Sequence, residues 1–112
     1  MTIYITTGNY SDHAFRGMLA QPEDRQAPVE ALFKAGGGKM LAYYVTMGES
    51  DFLVISEFDN HIDAVSVLMV AAGTGGVVNL STVVAITTSD SRKAEEKAHK
   101  IAGGFKAAGG SA

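Results

Sequence analysis

The sequence predicts an α+β fold in which a four-stranded antiparallel sheet carries two helical crossovers, in the order β-α-β-β-α-β. Three observations lead there. Four runs rich in β-branched and aromatic residues are spaced along residues 2–88. Two segments of helical periodicity separate the first run from the second and the third from the fourth. The second and third runs are joined by only a few residues around Gly48, a link short enough for a hairpin. That element order is the split βαβ arrangement called ferredoxin-like.

Each element has its own signal. "TIYITTGNY" (2–10) is the first strand. Ser11 and Asp12 are candidate caps for a short helical turn, which Pro22 interrupts. A longer helix is predicted from about Glu23 to Ala35, with Pro28 tolerated in its first turns and the Gly36–Gly38 cluster as its stop. "KMLAYYVTM" (39–47) and "DFLVISEF" (51–58) are the second and third strands. Gly48 supplies the positive φ that their connection demands. Asp59 or Asn60 caps "HIDAVSVLMVAA" (61–72), and Gly73 ends it. "GVVNLSTVVAITT" (76–88) is the fourth strand. Right-handed crossovers put both helices on one face of the sheet.

The strands are apolar on both faces. Phe52, Val54 and Phe58 alternate with Leu53 and Ile55; Leu41, Tyr43 and Val45 alternate with Met40, Ala42 and Tyr44. A sheet with one wet face alternates apolar with polar. Two helices cover one face, and burying the other at roughly 25 cal/mol per Å² favours sheet-on-sheet association across a two-fold axis. The expected partner is therefore a second copy, as a homodimer or higher homo-oligomer.

Composition bounds the function. The 112 residues make one domain, expected over 1–88, with a helical extension over 89–112. Net charge is −3, which argues against nucleic-acid binding. Residues 1–89 hold four basic and nine acidic side chains, whereas residues 90–112 hold five basic and three acidic. The absence of cysteine excludes disulfides, thiolate metal sites and cysteine nucleophiles. No apolar run approaches the roughly 20 residues of a membrane span, and the amino terminus does not read as a signal peptide. A cytoplasmic protein without a membrane partner is expected. In the tail, Ser91 is a candidate cap for a helix whose thin apolar stripe is Ala94, Ala98 and Ile101. The closing "GGSA" is expected to be disordered.

Several short stretches resemble the GYD-domain family, named for a Gly-x-Tyr-Asp signature between the second and third strands. Here the corner reads Gly48-Glu49-Ser50-Asp51, with serine in place of the tyrosine. "SD" after the first strand, Arg25, "AGGGKMLAYYVTMGESDF" with Tyr44, Glu57, and "GVVNLSTVVAIT" with Thr82 and Ala85 also agree, over about residues 2–88. The resemblance implies a ferredoxin-like fold of the dimeric α/β-barrel kind and no defined activity. No role that needs a phenol at position 50 carries over. The corner also resembles that of the sensory domain of Lrp/AsnC-type transcription regulators, although no helix-turn-helix precedes the sheet.

Candidate site residues are few. Asp51 reads first as a structural turn residue beside Gly48, accepting backbone N–H groups, and second as a ligand contact. His13 and His61 stand near helix starts, where free N–H donors gather. Two isolated histidines make no metal signature, so they read as exposed or capping groups, and no metal or cofactor is expected. Glu57 lies in an apolar strand. Either burial raises its pKa and makes it a base, or it is exposed or paired with Arg16 or Arg25. Tyr43 and Tyr44 point to opposite faces, so one of them lines a pocket. "AGGGKM" and "GTGGVV" fail the phosphate-loop and dinucleotide fingerprints. The leading expectation is a small-molecule-binding or sensory module with Tyr44, Glu57, His13 and His61 at its pocket. The alternative is a dimeric α/β-barrel enzyme of the monooxygenase, haem-degrading, isomerase or dehydratase type. A third reading makes the tail helix an assembly device.

Overall fold

A computed structural model describes residues 1–110. Its elements are β1 (Thr2–Tyr10), α1 (Asp12–Ala20), α2 (Gln26–Ala35), β2 (Lys39–Val45), β3 (Phe52–Phe58), α3 (His61–Gly73), β4 (Val77–Ala85) and α4 (Thr88–Ala102). The strands form one antiparallel sheet in the order β2-β3-β1-β4, the ferredoxin-like topology. Of the closing "GGSA", Ser111 and Ala112 lie outside the described residues.

Local chemistry sets the helix starts. The Ser11 hydroxyl accepts the Ala14 N–H at 3.1 Å and opens α1 as a nine-residue helix, longer than a single turn. The Asn60 side-chain oxygen accepts the Asp63 N–H at 3.0 Å and opens α3. Two starts differ from expectation. Helix α2 begins at Gln26 rather than Glu23, because the Asp24 carboxylate accepts the Gln26 N–H at 2.9 Å and holds residues 21–25 outside the helix. Helix α4 is capped by Thr87, not Ser91: its hydroxyl accepts the Asp90 N–H at 3.0 Å, which also ends β4 earlier than the apolar run suggests.

The core lies between the sheet and the helices. Phe33, Phe52, Val54, Phe58, Ala64 and Val67 are all buried there. Phe58 meets Tyr4 edge-on at 5.9 Å and Phe33 at 5.8 Å. Its ring presses on Gly38, where a Cβ would sit 2.3 Å from the Phe58 Cε1 atom. Close packing of the Phe58 ring on the backbone just before β2 explains that glycine better than turn chemistry does. Gly48 has φ of 126°, the left-handed geometry expected at the β2–β3 corner.

Among the described residues, no helix covers the opposite face. Register places Ala42, Ile55, Ile5 and Val83 in one row across all four strands, and Tyr44, Leu53, Thr7 and Ser81 in the next. Two irregularities correct the simple alternation read from sequence. A bulge between Met40 and Ala42 returns Met40 to the helix-side face beside Tyr43. A second, opposite Thr7 and Asn9, puts Asn79 at φ of 56°, so that Val77 and Leu80 share the helix-side face.

Candidate functional site

The sheet and helices α1, α2 and α3 enclose a cavity of about 360 Å³, within the range of small-ligand pockets. Its walls are mainly apolar: Val29, Leu32, Phe52, Val54, Val77 and Leu80 contribute from strands and helices. Gly17 of α1 borders it, and a Cβ there would meet nothing within 4 Å. Residues 21–25, kept out of α2 by Asp24, carry Glu23 and Arg25 to the cavity, where the Arg25 Nη1 meets the Glu23 Oε1 at 3.1 Å.

The polar interior is made of hydroxyls. The Tyr10 and Tyr43 phenols hydrogen-bond to each other across the cavity wall. The pair sits against Phe52, whose ring centroid is 5.2 Å from Tyr10 and 6.3 Å from Tyr43. One phenol donates to the other, so the pair retains one unspent O–H donor and free lone pairs. Burial pushes the Tyr43 phenol well above its ordinary range, and the Tyr10 hydrogen bond raises it further. Tyr43 therefore keeps its O–H well into the alkaline range. Deeper in, the Thr6 and Thr82 hydroxyls pair at 2.8 Å.

The residues expected at the site are dispersed. His13 lines the cavity from α1, at an exposed position. Asp51 sits at the β2–β3 corner, where its carboxylate accepts the Tyr10 N–H at 3.0 Å and the Asn9 side-chain N–H at 3.2 Å. Its own N–H donates to the Gly8 carbonyl at 2.8 Å. Asp51 thus clamps the corner to the end of β1, one residue from the Tyr10 side chain. Tyr44 pairs with Leu53 on the far face and is 62% exposed. Glu57 is on that far face too, opposite Ile3 and Lys39. His61 is exposed at the first position of α3 and does not reach the cavity.

Of the four residues expected to share one pocket, the fold leaves His13 there and separates Tyr44, Glu57 and His61 from it. Tyr43, Tyr10 and Arg25 take their places. Tyr43 was legible as half of an alternating pair, whereas the Tyr10 partnership joins residues 33 positions apart and leaves no local trace. Among the described residues, no cluster of three or more His, Asp or Glu could hold a metal ion. Among the described residues, no helix is long and apolar enough to cross a membrane.

Two solved structures are similar in fold. One, described as FFRP-DM1, is 18% identical with a TM-score of 0.45, covering 77% of this chain and 100% of its own. The other, hypothetical protein PHS023 from Pyrococcus horikoshii, is 20% identical with a TM-score of 0.48, covering 78% of this chain and 92% of its own. No curated protein matches the chain. The GYD domain matches residues 4–94, from within β1 into α4. With most of its length matched in this way, the chain belongs to the GYD domain family.

Proposed function

We propose that this protein is a homo-oligomeric small-molecule-binding module whose ligand occupies the cavity between sheet and helices. The observation that carries the reading is the cavity itself: apolar walls around one pair of bonded phenols, Tyr10 and Tyr43. Pockets that bind small molecules combine such walls with a few convergent polar groups. The surplus O–H donor of the phenol pair suits a carbonyl or hydroxyl oxygen on an otherwise apolar ligand. The sensory reading follows from the same cavity, since a ligand there touches three helices at once.

The oligomer is supported by the far sheet face, where Ile5, Ile55, Leu53 and Val83 lie without any helix over them. Sheet-on-sheet packing through this face gives the dimeric α/β barrel and leaves the cavity on the outer side of each sheet.

A thermal-shift panel of small aromatic and alicyclic compounds, with and without carbonyl groups, tests the binding reading. Compounds that bind the folded chain raise its melting temperature by mass action. At least one compound class is expected to do so, with the gain reduced in Tyr43→Phe. A panel that leaves the wild-type melting temperature unmoved counts against the proposal.

A further inference from the structure

Helix α4 projects from the body. Only Ser91 of its fifteen residues is even partly buried, and the molecule extends 63 Å along its longest axis. Its stripe of Ala94, Ala98 and Ile101 is exposed. A second orphan lies on α3. Opposite the side that carries the buried Ala64 and Val67, that helix presents Ile62, Val65 and Met69 at 67%, 50% and 68% exposure.

The two stripes have matching steps. Along α3 the apolar positions advance by three and then four residues, from Ile62 to Val65 to Met69. Read backwards, α4 does the same, from Ile101 to Ala98 to Ala94. Both span seven residue steps, about 10 Å of helix. Set antiparallel, Ile101 lies beside Ile62, Ala98 beside Val65 and Ala94 beside Met69, each alanine opposite a larger side chain. Small residues facing larger ones let helices approach closely.

Charge selects the same direction. The chain has no lysine or arginine between Lys39 and Arg92, so α3 begins among Asp59 and Asp63 with no basic side chain nearby in sequence. On α4, Arg92 pairs with Glu96 at 3.3 Å and Lys93 with Asp90 at 3.6 Å. Lys97 and Lys100 have no such partner among the described residues. Antiparallel packing brings those two lysines to the acidic start of α3 and sets opposite helix dipoles end to end.

Topology says whose α3 it is. Phe58 and Ala85 pair with Thr2 and Ile3 respectively, so β3 and β4 end at the same edge of the sheet. Helix α4 therefore starts beside the start of its own α3, separated from β4 only by Ile86 and Thr87. Folded back on its own chain it could run only parallel to α3, with Asp90 near Asp63. An antiparallel match requires the α3 of another molecule.

We infer that α4 of one copy docks antiparallel on the outward face of α3 of a second copy, joining Ala94 to Met69 and Ile101 to Ile62. This contact is independent of the cavity and uses the helix side of the molecule, so it coexists with sheet-on-sheet pairing and links such pairs into larger assemblies.

The cysteine-free chain permits a direct test on the full-length protein. Met69→Cys and Ala94→Cys, made separately, are mixed and mildly oxidised. A mixed disulfide dimer is expected, and adding Ile101→Glu to the Ala94→Cys chain is expected to reduce its yield about tenfold. The pair Ile62→Cys with Ala94→Cys is expected to link poorly. All three positions to be replaced by cysteine are exposed, so folding survives the changes and is checked by circular dichroism. The inference is overturned if Met69→Cys and Ala94→Cys fail to link, if the Ile62→Cys pair links equally well, or if both cysteines in one chain join at monomer mass.

Discussion

Tyr43 is the residue whose chemistry the fold changes most. It alternates with Tyr44, and strand register alone decides which phenol enters the cavity. Its pairing with Val54 turns it to the helices, where burial and the Tyr10 hydroxyl raise its pKa. The consequence for stability has a definite sign. Below about pH 10, the ordinary phenol value, folded and unfolded chains both hold the proton and the contribution is complete. Above it the unfolded chain ionises first, so stability falls as pH rises through the gap between the two states. Melting temperatures measured from neutral to strongly alkaline pH are expected to fall less steeply for Tyr43→Phe than for wild type. Phenolate absorbance should show a late-titrating component that is absent from the variant. Ser56 illustrates a different residue-scale outcome: it is buried at 1% exposure, and its hydroxyl has no hydrogen-bond partner among the described residues.

Among the elements, the hairpin corner and α1 are where local sequence and site meet. Asp51 reads as a turn residue, and its carboxylate accepts the Tyr10 N–H, so the corner positions a cavity phenol without touching the cavity itself. The cap residues Ser11 and Asn60 were legible because capping needs only a side-chain oxygen three residues before an amide. The bulges at Leu41 and Asn79 were not, because alternation of apolar residues looks the same on either side of an inserted residue. Helix α1 offers a clean test. Gly17 lies mid-helix beside the cavity with open space around it. Replacing glycine by a good helix former there gains about 1 kcal/mol, or a melting temperature about 4 °C higher. Gly17→Leu is therefore expected to be more stable than wild type while losing any ligand-induced thermal shift, because the new side chain occupies the cavity. Paired melting curves with and without ligand measure both effects.

At the scale of the whole molecule, the uncovered apolar surfaces among the described residues include the far face of the sheet and the outward face of α3. Ile55 sits in the central row of the former, between Ala42 and Ile5. A lysine there puts an ammonium in the middle of any sheet-on-sheet interface and leaves the helix-side core untouched. Ile55→Lys is expected to sediment as a smaller species than wild type at micromolar concentration, with its helical circular dichroism retained. A wild-type chain that is itself a stable solitary monomer at that dilution removes the barrel arrangement from the proposed function.

The order of elements, the corner glycine, the caps of α1 and α3 and the two-faced apolarity of the sheet all followed from residue types and their spacing, because propensity, capping and period act over a few neighbouring positions. Which face each strand presents after a bulge, the meeting of Tyr10 with Tyr43, and the separation of Glu57 and Tyr44 from His13 were decided by the tertiary structure. Those outcomes depend on register between strands distant in sequence, where one extra residue reverses the direction of every side chain beyond it.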